Sequence, residues 1–213
     1  MIIAFSGIDG AGKSTQINLL IDYLKENKKR TKYIWARGGY TPGFNFLKKI
    51  IRKSGTTTVP KPGRSQERAQ AFEAPLMRKI WLILAILDIT FLYAVYIRWM
   101  EIRGYSIICD RWIDDTLLDF QLNFPQEQVH KWWLWKLYLF CAPKPDRSFL
   151  FLIPVEESIR RSKLKNEPFP DSKEVLIERL SQYEAFDSGH WIKIDGTRSV
   201  QDVHWTIREA IKL

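Results

Sequence analysis

Phe5–Thr15, reading FSGIDGAGKST, is the stretch that decides the fold of this chain. It overlaps a short apolar run at 1–6, MIIAFS, of the kind that forms a buried strand. Residues 7–14 satisfy the pattern G-x-x-x-x-G-K-[ST], and an amphipathic helical pattern follows. A strand, a glycine loop and a helix in this order present backbone N–H groups and a helix N-terminus to a polyphosphate. We therefore expect Lys13 to reach the terminal phosphates and Ser14 to hold Mg²⁺.

The composition is typical of a folded globular protein with anionic partners. The 213 residues fall within the usual range for one domain, and 46% of them are hydrophobic, which allows a sizeable core. The net charge of +9 favours anionic partners such as nucleotides, nucleic acid or acidic lipid. The alternative is that the basic residues are spread over a solvated surface and bind no particular partner. The sequence contains no motif for reading RNA or DNA, so we expect no nucleic-acid partner.

The cysteines, the histidines and the first residues indicate a reducing compartment. Cys109 and Cys141 have no short spacing, so neither a disulfide framework nor a zinc site is expected. The three histidines are scattered and match no metal pattern. The chain starts directly with the strand pattern rather than with a signal peptide, and we expect a cytoplasmic location.

Strand patterns and helical patterns alternate along the chain. Strands are predicted at 1–6, 32–36, 105–109, 147–154 and 190–195. Helices are predicted between and after them, including a helix over 66–103 that is broken or kinked near Pro75 and a Trp-rich helix over 125–141. A short basic helix over 44–53 and a mobile loop over 54–65 are also predicted. The alternation predicts an α/β fold whose five-stranded parallel sheet carries helices on both faces, in a single domain over 1–213.

The segment Ile80–Ile97 raises the question of a membrane span. It carries one charge in 18 residues and is close to the length that crosses a bilayer. It also lies between Lys13 and Asp110, and a span would separate these residues if both serve one phosphate site. Asp88, near the middle of the segment, would cost about 2.5–3.5 kcal/mol on insertion scales. We therefore expect a buried central helix rather than a span, with an apolar face available for a homodimer contact or, alternatively, for a membrane surface.

Further motifs follow the glycine loop in a recognisable order. They are CDRW at 109–112, DFQ at 119–121, PD at 145–146, PVEESIRR at 154–161 and IDGTRSVQDV at 194–203. Together with the loop at 5–15, this set resembles the thymidylate kinase family of P-loop nucleoside monophosphate kinases over nearly the whole chain. The resemblance implies the three-layer P-loop NTPase fold. The guanine-recognition pattern N-K-x-D does not follow the loop, which argues against a GTPase.

The resemblance and the charge requirements of phosphoryl transfer assign residues to the donor side. Asp110 is expected to hold Mg²⁺ with Ser14, and the loop after the last strand matches the one that lies beside the adenine in the family. A simple turn is the alternative for that loop. The residues expected to hold ATP are Gly10, Ala11, Gly12, Lys13, Ser14, Thr15, Asp195 and Thr197.

On the acceptor side, the expected residues follow strands or lie in the glycine loop. Arg111 is placed to grip the acceptor phosphate in bidentate fashion, and a structural ion pair with Asp110 is the alternative. Arg37 resembles a family arginine near the same phosphate, with a solvated loop arginine as the alternative. Asp9 resembles an acceptor-site acid, with a loop-stabilising Asx turn as the alternative.

Two kinds of residue are candidates for contacts with the acceptor base. Phe72 and Phe120 are placed to stack on a base, and Gln121 to hydrogen-bond it. For each of these residues, a place in the core or on a helix surface is an equal alternative.

A cluster of basic residues near 160–172 resembles the mobile lid of the family. Its members are Arg160, Arg161, Lys163 and Lys165. Because Ala11 puts no basic group into the glycine loop, the assisting charge must come from this lid, and Arg161 is the residue expected to supply it. The catalytic set is then Lys13, Asp110, Arg111 and Arg161. A solvated basic helix face is the alternative for the lid cluster.

The sequence departs from the family mainly on the acceptor side. The long middle helix carries Asp88-Ile89 where the family has an Asp-Arg pair, so an acceptor-binding arginine is missing. The loop after the second strand, starting at Arg37, lacks the family's acid and proline, and residues 167–170 replace an Asp-Arg-Phe-Glu type segment.

The expected function is transfer of a phosphoryl group from ATP, with Mg²⁺, to a nucleoside monophosphate, foremost dTMP, to give dTDP. Two alternatives stay open from the sequence. One is a divergent small-molecule kinase whose acceptor is a sugar or a sugar phosphate. The other is a nucleotide-binding protein with little kinase activity.

Overall fold

The computed structural model describes residues 1–39, 41, 44, 72–165, 171–186 and 189–212. The predicted loop over 54–65 lies outside the described residues, and so does the predicted helix over 44–53 except for Phe44. The predicted lid is described on either side of residues 166–170, which also lie outside.

The described residues form five strands, each within a few residues of its predicted bounds. They are β1 (Ile2–Gly7), β2 (Thr31–Trp35), β3 (Ser106–Asp110), β4 (Arg147–Leu152) and β5 (Ile192–Asp195). All pairings are parallel, in the order β2-β3-β1-β4-β5. Every residue of β1 and β3 is buried, so both faces of the sheet are covered at its centre. The prediction of an α/β fold with a five-stranded parallel sheet is confirmed.

The sheet order brings the carboxyl ends of neighbouring strands to one edge. β1 lies between β3 and β4, with Phe5 opposite Asp110 and Gly7 opposite Phe151. The glycine loop that follows β1 therefore begins beside the end of β3. This edge of an open parallel sheet is where ligands bind in such folds.

The described residues contain seven helices of nine or more residues. They are α1 (Lys13–Glu26), α2 (Pro75–Ile102), α3 (Ile113–Asn123), α4 (Trp133–Cys141), α5 (Val155–Leu164), α6 (Lys173–Glu184) and α7 (Val200–Ile211). Two of them begin at serines that act as N-caps, since Ser172 accepts from the backbone N of Val175 and Ser199 from that of Asp202.

The predicted break near Pro75 is confirmed, because residues 72–74 are not helical and Pro75 is the first residue of α2. Proline suits this position, where its missing N–H would have no partner within the helix. Residues 66–71 of the predicted helix lie outside the described residues. Further along, Leu92–Ile97 form a π-helical segment within α2. Such a segment is not visible in an apolar pattern.

The prediction of one Trp-rich helix over 125–141 is wrong in its first half. Pro125–Glu127 and Val129–Lys131 form two 3₁₀ turns, and the helix α4 begins only at Trp133. Gln128 between the turns has φ +45°, a left-handed conformation that a right-handed helix cannot include.

The chain divides into two compact units. Unit 1 comprises Met1–Trp35, Trp99–Leu118 and Lys144–Leu213 and contains the sheet. Unit 2 comprises Ala36–Arg98 and Asp119–Pro143, with most of α2 and all of α4. The expectation that 1–213 form a single kinase domain stays a prediction.

Helix α2 is buried along one face and exposed along another. Within the described residues, it is the one helix with the length and apolarity to cross a membrane, and 33% of its most apolar 18-residue window is buried. The buried positions in its first part are Leu82, Ala85, Ile86 and Ile89. Leu76, Leu87 and Phe91 are exposed on the same helix. The expected central helix therefore has the exposed apolar face that a homodimer contact would require.

Candidate active site

The glycine loop in unit 1 adopts a backbone that only glycine accommodates at two decisive points. Gly7 has φ +136°, and a Cβ there would lie 2.3 Å from the carbonyl oxygen of Phe151 in the adjacent strand. Gly12 has φ +95° and is the residue from which α1 begins. Glycine pays no steric penalty in this region. The glycines of the sequence pattern thus allow a tight turn that leads directly into the N-terminus of α1.

The side chain of Lys13 is folded back over this loop and is buried. Its Nζ donates to the carbonyl oxygens of Gly7 and Ile8, at 2.7 and 2.8 Å. Burial lowers the pKa of Lys13, and the positive charge of Arg111 lowers it further. Three carboxylates oppose this effect: Asp9, Asp110 and Asp115. An anion at this position would relieve the cost of the buried charge.

One pocket of unit 1 gathers most of the side chains predicted to act on phosphate. Its lining residues are Asp9, Gly10, Ala11, Gly12, Lys13, Ser14, Trp35, Asp110, Arg111 and Lys165. The loop residues expected to hold ATP therefore share one pocket with Asp9 and Arg111, two of the residues expected to face the acceptor. Thr15, also expected to hold ATP, is exposed on the first turn of α1 and does not line this pocket.

Arg111 is held in this pocket by both its backbone and its side chain. Its φ of +79° is in the left-handed region, which costs a non-glycine residue about 1–3 kcal/mol. Its backbone N donates to the carbonyl oxygen of Phe5 at 2.8 Å. Its guanidinium lies between two carboxylates, with Nη2 at 3.0 Å from Asp9 and Nη1 at 3.5 Å from Asp115. The neighbouring Asp110 accepts from Tyr33, and the described ion pairs of Arg111 are with Asp9 and Asp115 and not with Asp110, the predicted alternative.

The oxygen ligands that Mg²⁺ would need are present in the pocket. Ser14 has an exposed side chain, and Asp110 contributes a carboxylate whose Oδ2 accepts from Tyr33 Oη at 3.1 Å. In the described part of the chain, no three His, Cys, Asp or Glu side chains cluster as a metal cage. Mg²⁺ characteristically binds one or two protein oxygens, several waters and substrate phosphates. The donors therefore fit this ion.

Arg161, expected to be the catalytic lid residue, spans two loops of unit 1. Its Nη1 donates to the carbonyl oxygens of Gly10 and Gly196, both at 3.1 Å. Its Nε donates to Glu157 at 2.6 Å, and Arg160 donates to the same carboxylate. These contacts with Arg160 and Arg161 lower the pKa of Glu157 to about 2. Arg161 thus connects the glycine loop to the loop after β5.

The loop after β5 forms a tight turn around one carboxylate. Asp195 accepts from the backbone N and the hydroxyl of Thr197, at 2.9 and 2.6 Å, and these bonds lower its pKa. A Cβ at Gly196 would lie 2.6 Å from the carbonyl oxygen of Ala11, so this turn approaches the glycine loop closely. Neither Asp195 nor Thr197 lines the pocket of unit 1 described above.

The remaining acceptor-side candidates belong to unit 2. Arg37 Nε donates to the buried carboxylate of Asp119 at 2.7 Å. Phe72 is buried, with its ring centroid 5.4 Å from that of Trp81 and 5.1 Å from that of Phe124.

The two candidates on α3 for a base contact differ in exposure. Phe120 is buried between the rings of Trp81 and Trp135, whereas Gln121 is exposed. Asp88, at the position where the family's Asp-Arg pair begins, accepts from the hydroxyl of Thr41.

Sequence reasoning missed three residues that shape the site. Trp35, the last residue of β2, lines the pocket, and Tyr33 on the same strand holds Asp110. Asp115 lies on the first turn of α3 and reaches the guanidinium of Arg111, although Arg111 precedes that helix and has a left-handed backbone. A helical spacing rule therefore does not predict this pair. Lys165 is a member of the predicted basic cluster, but Arg161 was predicted to be its catalytic residue. In the structure, Lys165 lines the pocket and Arg161 does not.

Comparison with known proteins agrees with this geometry. The thymidylate kinase family model matches residues 5–207. A thymidylate kinase of Sulfurihydrogenibium sp. is 26% identical, with 99% of this chain and 96% of the relative aligned. A probable thymidylate kinase of Methanocaldococcus jannaschii is 28% identical, with 96% and 92% aligned, and the thymidylate kinase of Plasmodium falciparum is 24% identical, with 99% and 90% aligned. The predicted resemblance is confirmed, and the chain belongs to the thymidylate kinase family.

Proposed function

We propose that this protein transfers the γ-phosphoryl group of ATP to the phosphate of dTMP, giving dTDP and ADP. The observation that carries the proposal is the shared pocket of unit 1, in which Lys13 and Arg111 lie with the glycine loop. Phosphoryl transfer between two nucleotides requires positive charge on both the donor and the acceptor phosphates. Membership of the thymidylate kinase family supports dTMP as the acceptor.

On the donor side, Lys13 would move from the carbonyls of Gly7 and Ile8 to the β- and γ-phosphates of ATP. Ser14 and Asp110 would hold Mg²⁺, which neutralises charge on the phosphates during transfer. A phosphate oxygen of the acceptor then forms a bond to the γ-phosphorus as the bond from that phosphorus to the bridging oxygen of ADP breaks.

On the acceptor side, Arg111 would bind the acceptor phosphate in place of its contact with Asp9. The Asp9 side chain is 41% exposed, so this ion pair is weakened by solvent and can be exchanged for a phosphate. Arg37, Phe72 and Gln121 remain proposed acceptor-binding residues.

We propose that the lid supplies the remaining positive charge. Lys165 is supported by its position on the pocket, and Arg161 by its bonds to Gly10 and Gly196. Residues 195–197 would lie beside the adenine, which the contact of Gly196 with Ala11 supports. A lid that closes only over bound substrates excludes water from the transferred group.

We further propose a cytoplasmic protein that binds small nucleotides, with no nucleic-acid partner, and that forms a homodimer through the exposed face of α2. The exposed side chains Leu87 and Phe91 on that face support the dimer. Size-exclusion chromatography with light scattering tests the dimer: we expect the wild type to be dimeric and Phe91→Glu to be monomeric. A monomeric wild type would exclude the dimer.

The decisive experiment incubates the protein with ATP, Mg²⁺ and each of a panel of nucleoside monophosphates, and measures ADP release and diphosphate formation. We expect turnover with dTMP to exceed that with every other monophosphate. Lys13→Ala is the control for a contaminating kinase, since it should abolish the activity. Absence of turnover with all monophosphates would contradict the proposal.

A further inference from the structure

The carboxylate of Asp115 is the most heavily bonded buried acid of unit 1 in the described structure. Its side chain is 1% exposed on the first turn of α3. It accepts hydrogen bonds from Ser6 Oγ, from the backbone N of Trp112 at 2.8 Å and from Tyr183 Oη at 2.7 Å. One side chain thus joins β1, the turn after β3 and helix α6.

A buried carboxylate is a costly way to join these elements. Removing a charge from water costs several kcal/mol per ion unless good partners compensate it. Burial and the charge of Asp115 raise the pKa of Tyr183, so this phenol stays protonated and donates. A neutral amide of the same size has only one acceptor oxygen, so the three donors on the two oxygens of Asp115 require a carboxylate. The negative charge that accompanies these two oxygens requires a cation beside it, which gives the charge a second purpose.

That purpose is found in Arg111, the fourth partner of Asp115. Nη1 of Arg111 lies 3.5 Å from Oδ1 of Asp115, the same oxygen that accepts from Tyr183. The second described ion-pair partner of the guanidinium is Asp9, whose side chain is 41% exposed. Arg111 is thus held from inside by a buried, fixed carboxylate and from outside by an exposed one. A phosphate can replace the outer carboxylate while the inner one keeps the orientation.

We propose that Asp115, oriented by Tyr183, is a positioning residue that holds the guanidinium of Arg111 ready for the phosphate of the acceptor. This inference rests on the proposed function, because it assumes that Arg111 binds the acceptor. Asp115 does not touch the substrate and acts through Arg111 alone. The effect of substituting Asp115 must therefore appear in acceptor binding. It must disappear when residue 111 can no longer contact the acceptor phosphate through two nitrogens.

The test is a double-mutant cycle with Asp115→Asn and Arg111→Lys, in which KM for dTMP and KM for ATP are measured separately. Asparagine keeps the size and one acceptor oxygen but removes the charge. We expect Asp115→Asn to raise KM for dTMP about tenfold and to change KM for ATP less than threefold. In the double variant, KM for dTMP should equal that of Arg111→Lys alone, because residues acting through one contact are not additive.

Asp114→Asn is the matched control, since it removes the adjacent carboxylate on the same turn and should leave both KM values unchanged. Should Asp115→Asn fail to fold, as judged by its thermal melt, Tyr183→Phe replaces it in the cycle. That variant removes only the phenol donor, and we expect a smaller, roughly threefold rise in KM for dTMP that is again absent in the Arg111→Lys background.

If the wild type is active, either of two outcomes would overturn this inference and leave the proposed function in place. One is an equal rise of both KM values, and the other is an additive effect in the double variant. Both are the results that a purely structural role would give. Absence of turnover with every monophosphate in the wild type would overturn the proposed function, and the inference with it.

Discussion

The phosphate pocket of unit 1 and the acceptor-side candidates of unit 2 are built in opposite ways. In unit 1, Lys13 and Arg111 are cations whose positions are fixed by a glycine turn and by a strained backbone. In unit 2, Arg37 is paired with a buried acid, and Phe72 is packed into a cluster of aromatic rings. The pocket of unit 1 thus depends on backbone geometry, whereas the candidates of unit 2 depend on side-chain packing.

This difference explains where the chain follows its family and where it departs from it. A polyphosphate can be held only by a few arrangements of N–H groups and cations, so the residues that hold it are restricted to glycine, lysine and serine. A base can be recognised by many combinations of ring faces and hydrogen bonds. Changes such as Ile89 in place of an arginine are therefore possible in the acceptor region without loss of the phosphate pocket.

The largest effect is expected for Lys13→Ala, which removes a buried cation that lines the unit 1 pocket. Loss of a charge that stabilises the transferring phosphoryl group should lower kcat/KM about a thousandfold or more. Steady-state kinetics with ATP and dTMP measure this loss. Lys25→Ala is the matched control, because Lys25 lies on the same helix but is exposed and paired with Asp22. A loss below tenfold would contradict the donor role of Lys13.

The next effect is expected for Lys165→Ala, which tests whether the lid completes the same pocket. Because Lys165 lines the pocket, its loss should lower kcat about a hundredfold. It should change KM for ATP much less, since a lid residue acts mainly when the site is closed. Lys163→Ala, two residues earlier and exposed, should have little effect. Equal effects of the two substitutions would show a general charge effect instead of a specific one.

Much of this site was predictable from the sequence because its parts lie in continuous motifs. FSGIDGAGKST and CDRW each span the end of a strand, and neighbouring parallel strands place these ends at one edge, so the pocket follows from the strand order. The roles of Asp115 and Tyr183 could not be predicted in the same way. They meet across 68 residues of chain, and only the packing of α6 brings the phenol to the carboxylate. Trp35 was missed because a tryptophan at a strand end also suits the core.

A smaller effect, confined to the acceptor, is expected for Arg37→Ala. A charged hydrogen bond is worth about 1.5–3 kcal/mol, so KM for dTMP should rise about tenfold or more while KM for ATP stays unchanged. Kinetics with each substrate varied separately measure the two constants. Arg98→Ala is the control, because Arg98 is an exposed arginine of unit 2 that donates to the carbonyl oxygen of Cys141. A change in KM for ATP alone would contradict the acceptor role.

The smallest effect concerns Glu157, which tests how firmly the lid helix is tied to the glycine loop. Its pKa is lowered to about 2, first by the hydrogen bond from Arg160 and then by that from Arg161. A lowered pKa in the folded protein means that the charged form stabilises it above pH 4.5. This contribution is lost as the pH falls from 4.5 towards 2.

NMR titration of the Glu157 carboxyl measures this pKa directly. We expect a value near 2 in the wild type and a higher value in both Arg160→Ala and Arg161→Ala, with the larger rise in Arg160→Ala because its bond is the larger cause. A wild-type pKa near 4.5 would mean that neither arginine is held by Glu157 in solution. Arg161 would then be free to leave the carbonyls of Gly10 and Gly196. In that case the lid helix would not share the fixed geometry of the unit 1 pocket.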